Sequence, residues 1–464
     1  MSKRYRQHPL MIFYEIIDTI KTFIFPFIII FVLSAVGEGS LQGFSLWTPL
    51  AFTLLSAMVG ILRWVFYTYS FETDSLTVRS GIFVKKERVL KKARVQSVNL
   101  EKGVLHRLFS LSSVHIETAG SVKEAEFSLA ALHKDQAIKL KQFFETNSEV
   151  LSFDYSYHAA YSVLLVAALT SGSIGFILSA LTFFFTQIVW YLPERITDTI
   201  YGWFFSTGVG LLVIGAALFI LLAWLVSIVQ YLVRFGQFTL QKKEDALTIT
   251  RGLLKVKTLT FKAHRIQSII FVEGLLRQPF KLLTIDVDIA GGVNYRDQSR
   301  TSLFPLLKRY KAHDYVQALL AKKLPEASLE PLDKKACKRY LFRAMGVYLI
   351  PLAFSFYNTV FLYALFALPL SLLLGFLKYK DAGVLDTEDS LVFRFRRIAR
   401  STVFIDKARV QSVDVTQTPF QKWKQFASLH VHILSSSGKA TYTIKDVRLK
   451  KALDLSAYSV DNVK

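Results

Sequence analysis

The chain has 464 residues, of which 52% are hydrophobic, 14% aromatic and only 20% charged, so a disordered or collagen-like chain is excluded. Its single cysteine, Cys337, cannot form an intramolecular disulfide, which excludes a disulfide-bonded scaffold. The formal net charge of +22 points to an anionic partner, either nucleic acid or a membrane surface.

Long apolar stretches occur in three pairs along the chain. They cover residues 22–36 and 44–62, then 159–190 and 201–233, and finally the two halves of 344–377, which is interrupted near Ser355. A bilayer has a hydrocarbon core about 30 Å thick, and these lengths predict six membrane-spanning helices in three hairpins. The last pair is the shortest, and whether it crosses the bilayer fully is left open.

Basic residues are distributed unevenly around these stretches. The loop at 37–43 has no Lys or Arg, and the loop at 191–200 has only Arg195, whereas the N-terminus and the long polar segments are basic. Cytoplasmic flanks of membrane helices carry the excess of Lys and Arg. The sequence therefore predicts a multi-pass protein of a bacterial cytoplasmic membrane, with both termini and all polar segments in the cytoplasm.

The polar segment after each apolar pair contains the same motif. It begins at Asp74, Asp245 and Asp389, and it ends in Ala-Arg-Val-Gln-Ser, His-Arg-Ile-Gln-Ser and Ala-Arg-Val-Gln-Ser, respectively. The second copy follows the first at an offset of 171 residues and the third at 315, at both ends of the block. Because no gap is needed, the chain contains a threefold internal repeat.

Each repeat is predicted to be a small antiparallel β-domain closed by one helix. Alternation of apolar and polar residues after the first Asp is typical of a half-buried strand. Gly81 and Gly252 stand where a hairpin needs a positive φ, whereas Arg396 indicates a different turn in the third repeat. The closing helices are expected at 135–144, 314–320 and 446–458, each with an Asp as N-cap.

Paired apolar stretches followed by this motif resemble the bacterial pleckstrin-homology-type (bPH) membrane proteins, in particular their YdbT-like members. The resemblance implies a mixed α/β membrane protein in which each helical hairpin precedes a cytoplasmic PH-like antiparallel β-barrel capped by a C-terminal helix. The expected domains are hairpins within 1–66, 159–233 and 341–377, and PH-like domains at 67–158, 234–340 and 378–464. The family implies no established chemistry.

Two groups of polar residues are candidates for surface or lipid binding. The first comprises the repeated Arg and Gln of the motif, namely Arg94, Gln96, Arg265, Gln267, Arg409 and Gln411. The alternative is that they hold the common fold, because residues kept in divergent copies usually serve it. The second group precedes the third hairpin and consists of Lys334, Lys335, Lys338 and Arg339, where cations are attracted to anionic headgroups.

These patterns predict a non-enzymatic membrane scaffold or accessory protein that binds lipid headgroups or a protein partner, with a role in envelope maintenance or protection as one setting. The alternative is a transporter or export component with a path between the hairpins. No ionisable residue lies inside the apolar stretches, and no catalytic, metal-ligating or phosphate-loop pattern is present, so neither a cofactor nor a metal is expected. Nucleic acid is not an expected partner, since its recognition motifs are absent.

Overall fold

A computed structural model of the chain describes residues 4–14, 16–17, 47–81, 84–118, 127–144, 153–172, 175, 177–183, 196–199, 202, 209–290, 300–325, 329–355, 365, 367–435 and 438–461. They form two compact units. Unit 1 comprises Met1–Ser152 with Leu254–Phe261, and unit 2 comprises Phe153–Leu253 with Lys262–Lys464.

The strands, in chain order, are β1 (Arg4–Arg6), β2 (Thr68–Phe71), β3 (Ser75–Ser80), β4 (Lys86–Lys91), β5 (Val95–Lys102), β6 (Leu111–Thr118), β7 (Phe127–His133), β8 (Tyr155–His158), β9 (Thr239–Lys243), β10 (Ala246–Arg251), β11 (Val256–Lys262), β12 (Ile266–Glu273), β13 (Leu282–Ile289), β14 (Thr301–Lys308), β15 (Glu330–Pro331), β16 (Gly383–Asp386), β17 (Ser390–Arg396), β18 (Arg400–Asp406), β19 (Val410–Thr416), β20 (Phe426–Ser435) and β21 (Gly438–Arg448).

The helices are α1 (Trp47–Phe66), α2 (Val104–Leu108), α3 (Lys134–Phe144), α4 (Tyr161–Leu169), α5 (Val209–Phe235), α6 (Ala312–Leu320), α7 (Lys334–Gly346), α8 (Leu349–Phe354), α9 (Leu368–Asp381), α10 (Pro419–Trp423) and α11 (Leu449–Asp461). The closing helices α3 and α6 form where they are predicted, but the prediction of an Asp N-cap is wrong for both. Asp135 and Asp314 lie in the first turns, and the N-cap of α6 is Lys311. The third prediction is wrong at its start, because Asp446 belongs to β21 and α11 begins at Leu449.

Unit 1 contains two antiparallel sheets around one core. The first has the order β1-β2-β3-β4, and the second contains β7-β6-β5-β11 in that order. The core between them is formed by buried side chains such as Leu76, Val98 and Ile116. Helix α3 closes it with Ala137, Leu140 and Phe144, whose spacing places them on one helical face.

Unit 2 contains a long mixed assembly of strands from two repeats. Its largest sheet has the order β14-β13-β12-β18-β17-β16-β15, and a three-stranded sheet, β19-β20-β21, packs in the same core. Strand β12 of the second repeat pairs with β18 of the third, from Ser268 opposite Ile405 to Glu273 opposite Arg400. Neighbouring repeats therefore share a sheet in place of forming separate barrels.

The Arg-Val-Gln-Ser motif has the same conformation in all three repeats. A 3₁₀ turn ends at Arg94, Arg265 or Arg409. The amide of the first residue of the turn donates to the carbonyl of Asp74, Asp245 or Asp389, at 2.9, 2.7 and 2.9 Å respectively. Each Gln then lies on the next strand, as the repeat predicts. In each strand the register shifts between the residue before this Gln and the Ser after it, which marks a β-bulge.

The glycine turns agree with their prediction. Gly81 and Gly252 have φ angles of +115° and +111°. A Cβ on Gly81 would lie 1.9 Å from the Val84 carbonyl oxygen, so no other residue fits without rearrangement. In the third repeat Arg396 closes β17 by pairing with Arg400 of β18 across a shorter turn.

The expectation of six membrane-spanning helices in three hairpins is wrong. Among the described residues, one helix segment, Val213–Phe235, is long and apolar enough to cross a membrane. The stretch at 22–36 lies outside the described residues, as do 184–190 and 356–364.

Two of the other apolar stretches form helices that are too short to cross a bilayer. Part of 159–190 forms α4, which has nine residues and buries Leu164, Ala167 and Ala168 against protein. The stretch 344–377 supplies α8, with six residues, and most of α9, with 14 residues. At 1.5 Å per residue α9 is about 21 Å long, which is shorter than a hydrocarbon core of about 30 Å.

Candidate functional site: a basic cavity beside two apolar helix ends

A cavity of about 820 Å³ opens in unit 2 where helices α7 and α9 meet strands β17, β20 and β21. The helices approach closely because Gly375 faces α7, and a Cβ there would lie 2.9 Å from the Ala344 Cβ. Helix α7 is fixed at its start by the Asp333 side chain, which accepts a hydrogen bond from the Lys335 amide at 2.9 Å. The third repeat and its helix pair therefore build the cavity together.

The lining of the cavity is positively charged. Among the described residues, the lining includes six cationic side chains and neither Asp nor Glu; the cations are Arg300, Arg343, Lys378, Arg396, Arg397 and Lys445. The hydroxyl groups of Tyr340, Ser371, Thr441 and Thr443 also line the cavity, and each already has a hydrogen-bond partner within the protein. The site is therefore suited to an anion with several oxygen acceptors.

Half of these cations are already paired with carboxylates behind the cavity wall. Arg343 forms an ion pair with Asp446, Arg396 Nε contacts Asp381 Oδ2 at 2.5 Å, and Arg300 Nε lies 3.8 Å from Asp288 Oδ1. Within the described ranges, no ion pair joins Lys378, Arg397 or Lys445 to a carboxylate. These three supply the uncompensated positive charge.

Neutral titratable groups complete the wall. Burial raises the pKa of the Tyr340 phenol to about 12, and its Oη donates to the Lys445 carbonyl at 3.1 Å. Burial and the neighbouring Asp288 also raise the pKa of Tyr442, which donates to that carboxylate. Burial, followed by repulsion from His432, lowers the pKa of His430. At neutral pH the Lys and Arg side chains therefore set the charge of the cavity.

Apolar side chains stand exposed at the helix ends next to the cavity. Val347 is 65% exposed and Leu349 63%, while Leu370 on α9 is 61% exposed. Ile398, in the turn between β17 and β18, lines the cavity and is 64% exposed. Exposed apolar side chains next to a basic cavity match the two chemical parts of an anionic lipid.

None of the repeated Arg and Gln residues lines this cavity, and they stand at the start of equivalent strands. Arg265 donates from Nε and Nη2 to the Ala290 carbonyl at 3.0 and 2.6 Å, and buried Gln267 donates to the Arg265 carbonyl at 3.2 Å. Arg409 Nη2 donates to the His264 carbonyl at 2.9 Å, while Arg94 and Gln411 are exposed. Gln96 lies on β5 at the same bulge. In the second and third repeats the contacts favour the fold-holding alternative.

The second predicted group lies on α7. Lys334, Lys335 and Lys338 are exposed, whereas Arg339 points to the protein and bonds Asp446 Oδ1 from Nε at 2.8 Å. None of the four lines the cavity, although Tyr340 and Arg343 of the same helix do. The candidate residues taken from the sequence did not include Lys378, Arg397 or Lys445, because these three come from separate elements. Arg397 belongs to a basic run at 394–400, but nothing in the sequence links it to the other two. Only Lys378, directly after an apolar stretch, carried a recognisable juxtamembrane signal.

Comparison with known proteins agrees with the threefold architecture. The family described as "Bacterial PH domain" matches residues 21–147, 157–323 and 341–462. The chain is also similar to the UPF0699 transmembrane protein YdbT of Bacillus subtilis (strain 168), with 29% identity over 476 residues and 96% of each chain covered. The protein thus belongs to the bacterial PH-domain family, with three copies of the domain along one chain.

Proposed function

We propose that this chain is a non-enzymatic membrane protein that binds the phosphate group of an anionic lipid in the cavity beside α7 and α9. The observation that carries the proposal is the triad of uncompensated cations, Lys378, Arg397 and Lys445, next to exposed apolar helix ends. Each cation near an anionic lipid surface contributes about 1 kcal/mol, and the apolar side chains accept the acyl region.

Membrane attachment of the chain is supported by α5 and by the relative. Helix α5 has 27 residues, and Leu211, Ile214 and Leu218 on it are 56–60% exposed. A soluble helix with that much exposed apolar surface would associate or aggregate. The relative's name states that it is a transmembrane protein. The excess of Lys and Arg in the polar segments supports a cytoplasmic position for the three repeats.

The orientation has a direct test, because Cys337 is the single cysteine of the chain and is partly exposed in α7. A membrane-impermeant maleimide should label it in inverted membrane vesicles and should leave it unlabelled in intact cells. Labelling in intact cells would place this repeat on the outer face and contradict the cytoplasmic assignment.

The lipid-binding proposal is tested on the full chain in nanodiscs containing phosphatidylglycerol or only phosphatidylcholine. The test variant carries Lys378→Gln, Arg397→Gln and Lys445→Gln. The matched control carries Lys422→Gln, Lys439→Gln and Lys450→Gln, three exposed lysines of the same repeat that do not line the cavity.

Native mass spectrometry after exchange into detergent measures how much phosphatidylglycerol stays bound. We expect the cavity variant to retain at least tenfold less than the control, since removing three cations near the lipid weakens a local attraction. If both variants retain equal amounts, lipid is held elsewhere and the proposal is wrong. A second experiment adds inorganic phosphate, to distinguish a site for lipid headgroups from a site for small anions. At millimolar concentration inorganic phosphate should not displace the lipid.

A further inference from the structure

Strand pairing between successive repeats follows one rule. In unit 1, β5 of the first repeat pairs with β11, and Lys102 stands opposite Val256. In unit 2, β12 of the second repeat pairs with β18 of the third, and Glu273 stands opposite Arg400. These two residue pairs occupy equivalent repeat positions. We call each of these strand pairings between repeats a junction. The two junctions join equivalent strands, in the same antiparallel direction and in the same register.

Among the described strands, two that are equivalent to the strands of these junctions have no partner from another repeat. Strand β4 is the repeat equivalent of β11 and β18, and it ends its sheet with β3 as its neighbour among the described strands. Strand β19 is the repeat equivalent of β5 and β12, and it ends its sheet with β20 as its described neighbour. The first and last repeats thus present the two complementary edges of the same junction.

Burial supports this relationship. At the β12–β18 junction Ile269 stands opposite Phe404, and these side chains are only 2% and 5% exposed. The equivalent positions on the two end strands are Val413 on β19 and Val89 on β4. Val89 is 56% exposed and Val413 is half-buried. The Val89 side chain is therefore uncovered at one end of the chain, whereas Val413 at the other end packs on the core of the third repeat and is only partly covered.

We propose that β19 of one copy pairs with β4 of a second copy, in the register of the internal junctions. That register places Val413 opposite Val89, Ser412 opposite Leu90 and Asp414 opposite Arg88. Asp414 Oδ2 contacts His432 Nε2 at 2.9 Å, and the Asp414 side chain remains 56% exposed, so it can also face a base on the second strand. An acid opposite a base across two strands stabilises the pair.

Charge selects this arrangement over self-pairing of β4. The strand reads Lys-Glu-Arg-Val-Leu-Lys, and two such strands side by side bring like charges together. Pairing of β19 with β4 is head-to-tail, so each bound copy presents the same two edges again. A heterologous contact of this kind extends into a row or closes into a ring.

Cysteine cross-linking on the full chain in detergent tests the register. In a Cys337→Ser background, one copy carries Val89→Cys and a second, differently tagged copy carries Val413→Cys. Opposite residues of an antiparallel pair have Cβ atoms about 5 Å apart, within reach of a short bifunctional thiol reagent. The expected product is a covalent dimer that contains both tags.

The control pairs Val89→Cys with Thr416→Cys, which is displaced by three residues, or about 10 Å along the strand. We expect at least fivefold less dimer from this control. Equal yields from both mixtures, equal self-dimers of the Val89→Cys copy, or no mixed dimer at all would overturn the proposal. A chain carrying both Val89→Cys and Val413→Cys that cross-links only within itself would also overturn it.

Substitutions that exchange the charges of Arg88 and Asp414 test the same pairing without introduced cysteines. Arg88→Asp in one copy should weaken association by about two- to fivefold in sedimentation or mass photometry, the range of cross-strand ion pairs. Asp414→Arg in the second copy should restore it. Both positions are at sheet edges, and each variant is accepted only if its melting temperature matches that of the parent. If Asp414→Arg does not restore association, the loss caused by Arg88→Asp is a general charge effect and not the loss of a pair in this register. That result would contradict the proposal.

Discussion

Arg339 donates from Nε to Asp446 Oδ1 at 2.8 Å, and this carboxylate is completely buried beneath helix α7. Asp446 also accepts from Arg343 and, at 3.0 Å, from Gln421 Nε2. Its backbone has a φ of +59°, a conformation that Asp and Asn tolerate better than other residues. The pair therefore joins α7 to the end of β21 through one residue with a demanding conformation.

Asp446→Asn tests the charge of this contact while it keeps the size and backbone tolerance of the residue. We expect a loss of roughly 2 kcal/mol in the free energy of unfolding, because two guanidinium groups lose their buried counter-charge and both are partly exposed. Thermal unfolding in detergent measures it. Asp454→Asn, at an exposed position of α11, is the control and should leave the melting temperature unchanged. A similar shift in both variants would contradict the assignment.

Gly375→Val tests the close contact of α7 and α9. A Cβ at Gly375 would lie 2.9 Å from the Ala344 Cβ and 3.3 Å from the Tyr340 carbonyl oxygen, so the helices must separate. Overpacking of this kind costs about 1–3 kcal/mol and should also lower retention of phosphatidylglycerol, since it deforms the cavity. Gly346→Val is the control, because a Cβ there meets open space. Unchanged lipid retention in Gly375→Val would show that helix spacing does not shape the site.

His115 should make unit 1 less stable in mild acid. Burial is the largest cause that lowers the pKa of its imidazole; Lys255, Lys257 and His106 lower it further, and Glu101 acts in the opposite direction. The folded state therefore binds fewer protons than the unfolded state between the lowered pKa and the ordinary value of 6.5. Stability rises with pH across this window and falls as the pH drops below about 6.5.

The check compares His115→Asn with the parent at pH 7.5 and pH 5.5. The variant loses the titrating group, so the difference between its two melting temperatures should be smaller than that of the parent. His158→Asn in β8 is the control, an exposed histidine in the other unit. An unchanged pH dependence in His115→Asn would mean that other groups carry the acid sensitivity.

Arg277 should fix the end of helix α4. Its guanidinium is only 6% exposed, and it donates to the Ala167 carbonyl at 2.9 Å and to Thr170 Oγ1 at 3.1 Å. We expect Arg277→Met to cost about 2 kcal/mol, because the last carbonyls of α4 lose a charged donor. Hydrogen exchange of the amides at the end of α4 should accelerate. Arg277→Lys should have an intermediate effect, since an ammonium cannot reproduce the planar set of donors. Exchange that is unchanged in both variants would exclude this role.

Features of the repeat set by nearby residues could be predicted from the sequence. Gly81 and Gly252 mark turns with positive φ, and the motif that follows Asp74 and its equivalents folds alike in three places. The bulge at Gln96, Gln267 and Gln411 has no such local signature, because it becomes visible only against the partner strand. Membership of the family followed from the same repeated motif.

Features that depend on distant contacts could not be predicted. The sequence groups Arg339 with its lysine neighbours, whereas its partner Asp446 lies 107 positions away. Hydropathy cannot distinguish an apolar helix that is exposed all round from one that buries part of its surface against protein, and α4 is of the second kind, with Leu164 buried and Leu165 47% exposed. The cavity cations could not be predicted as a set for the same reason, since Lys378, Arg397 and Lys445 meet only after α9, the end of β17 and β21 have assembled.

The identical register of the β5–β11 and β12–β18 junctions bears on how such a chain changes length during evolution. The middle repeat carries one edge, β11, that pairs with the preceding repeat and another, β12, that pairs with the next. Duplication of a gene segment encoding one repeat would therefore insert it without requiring a new contact surface. Loss of the middle repeat would leave β5 and β18 as matching ends, able to rejoin in the old alignment. Selection can thus add or remove whole repeats while the joining surface stays the same.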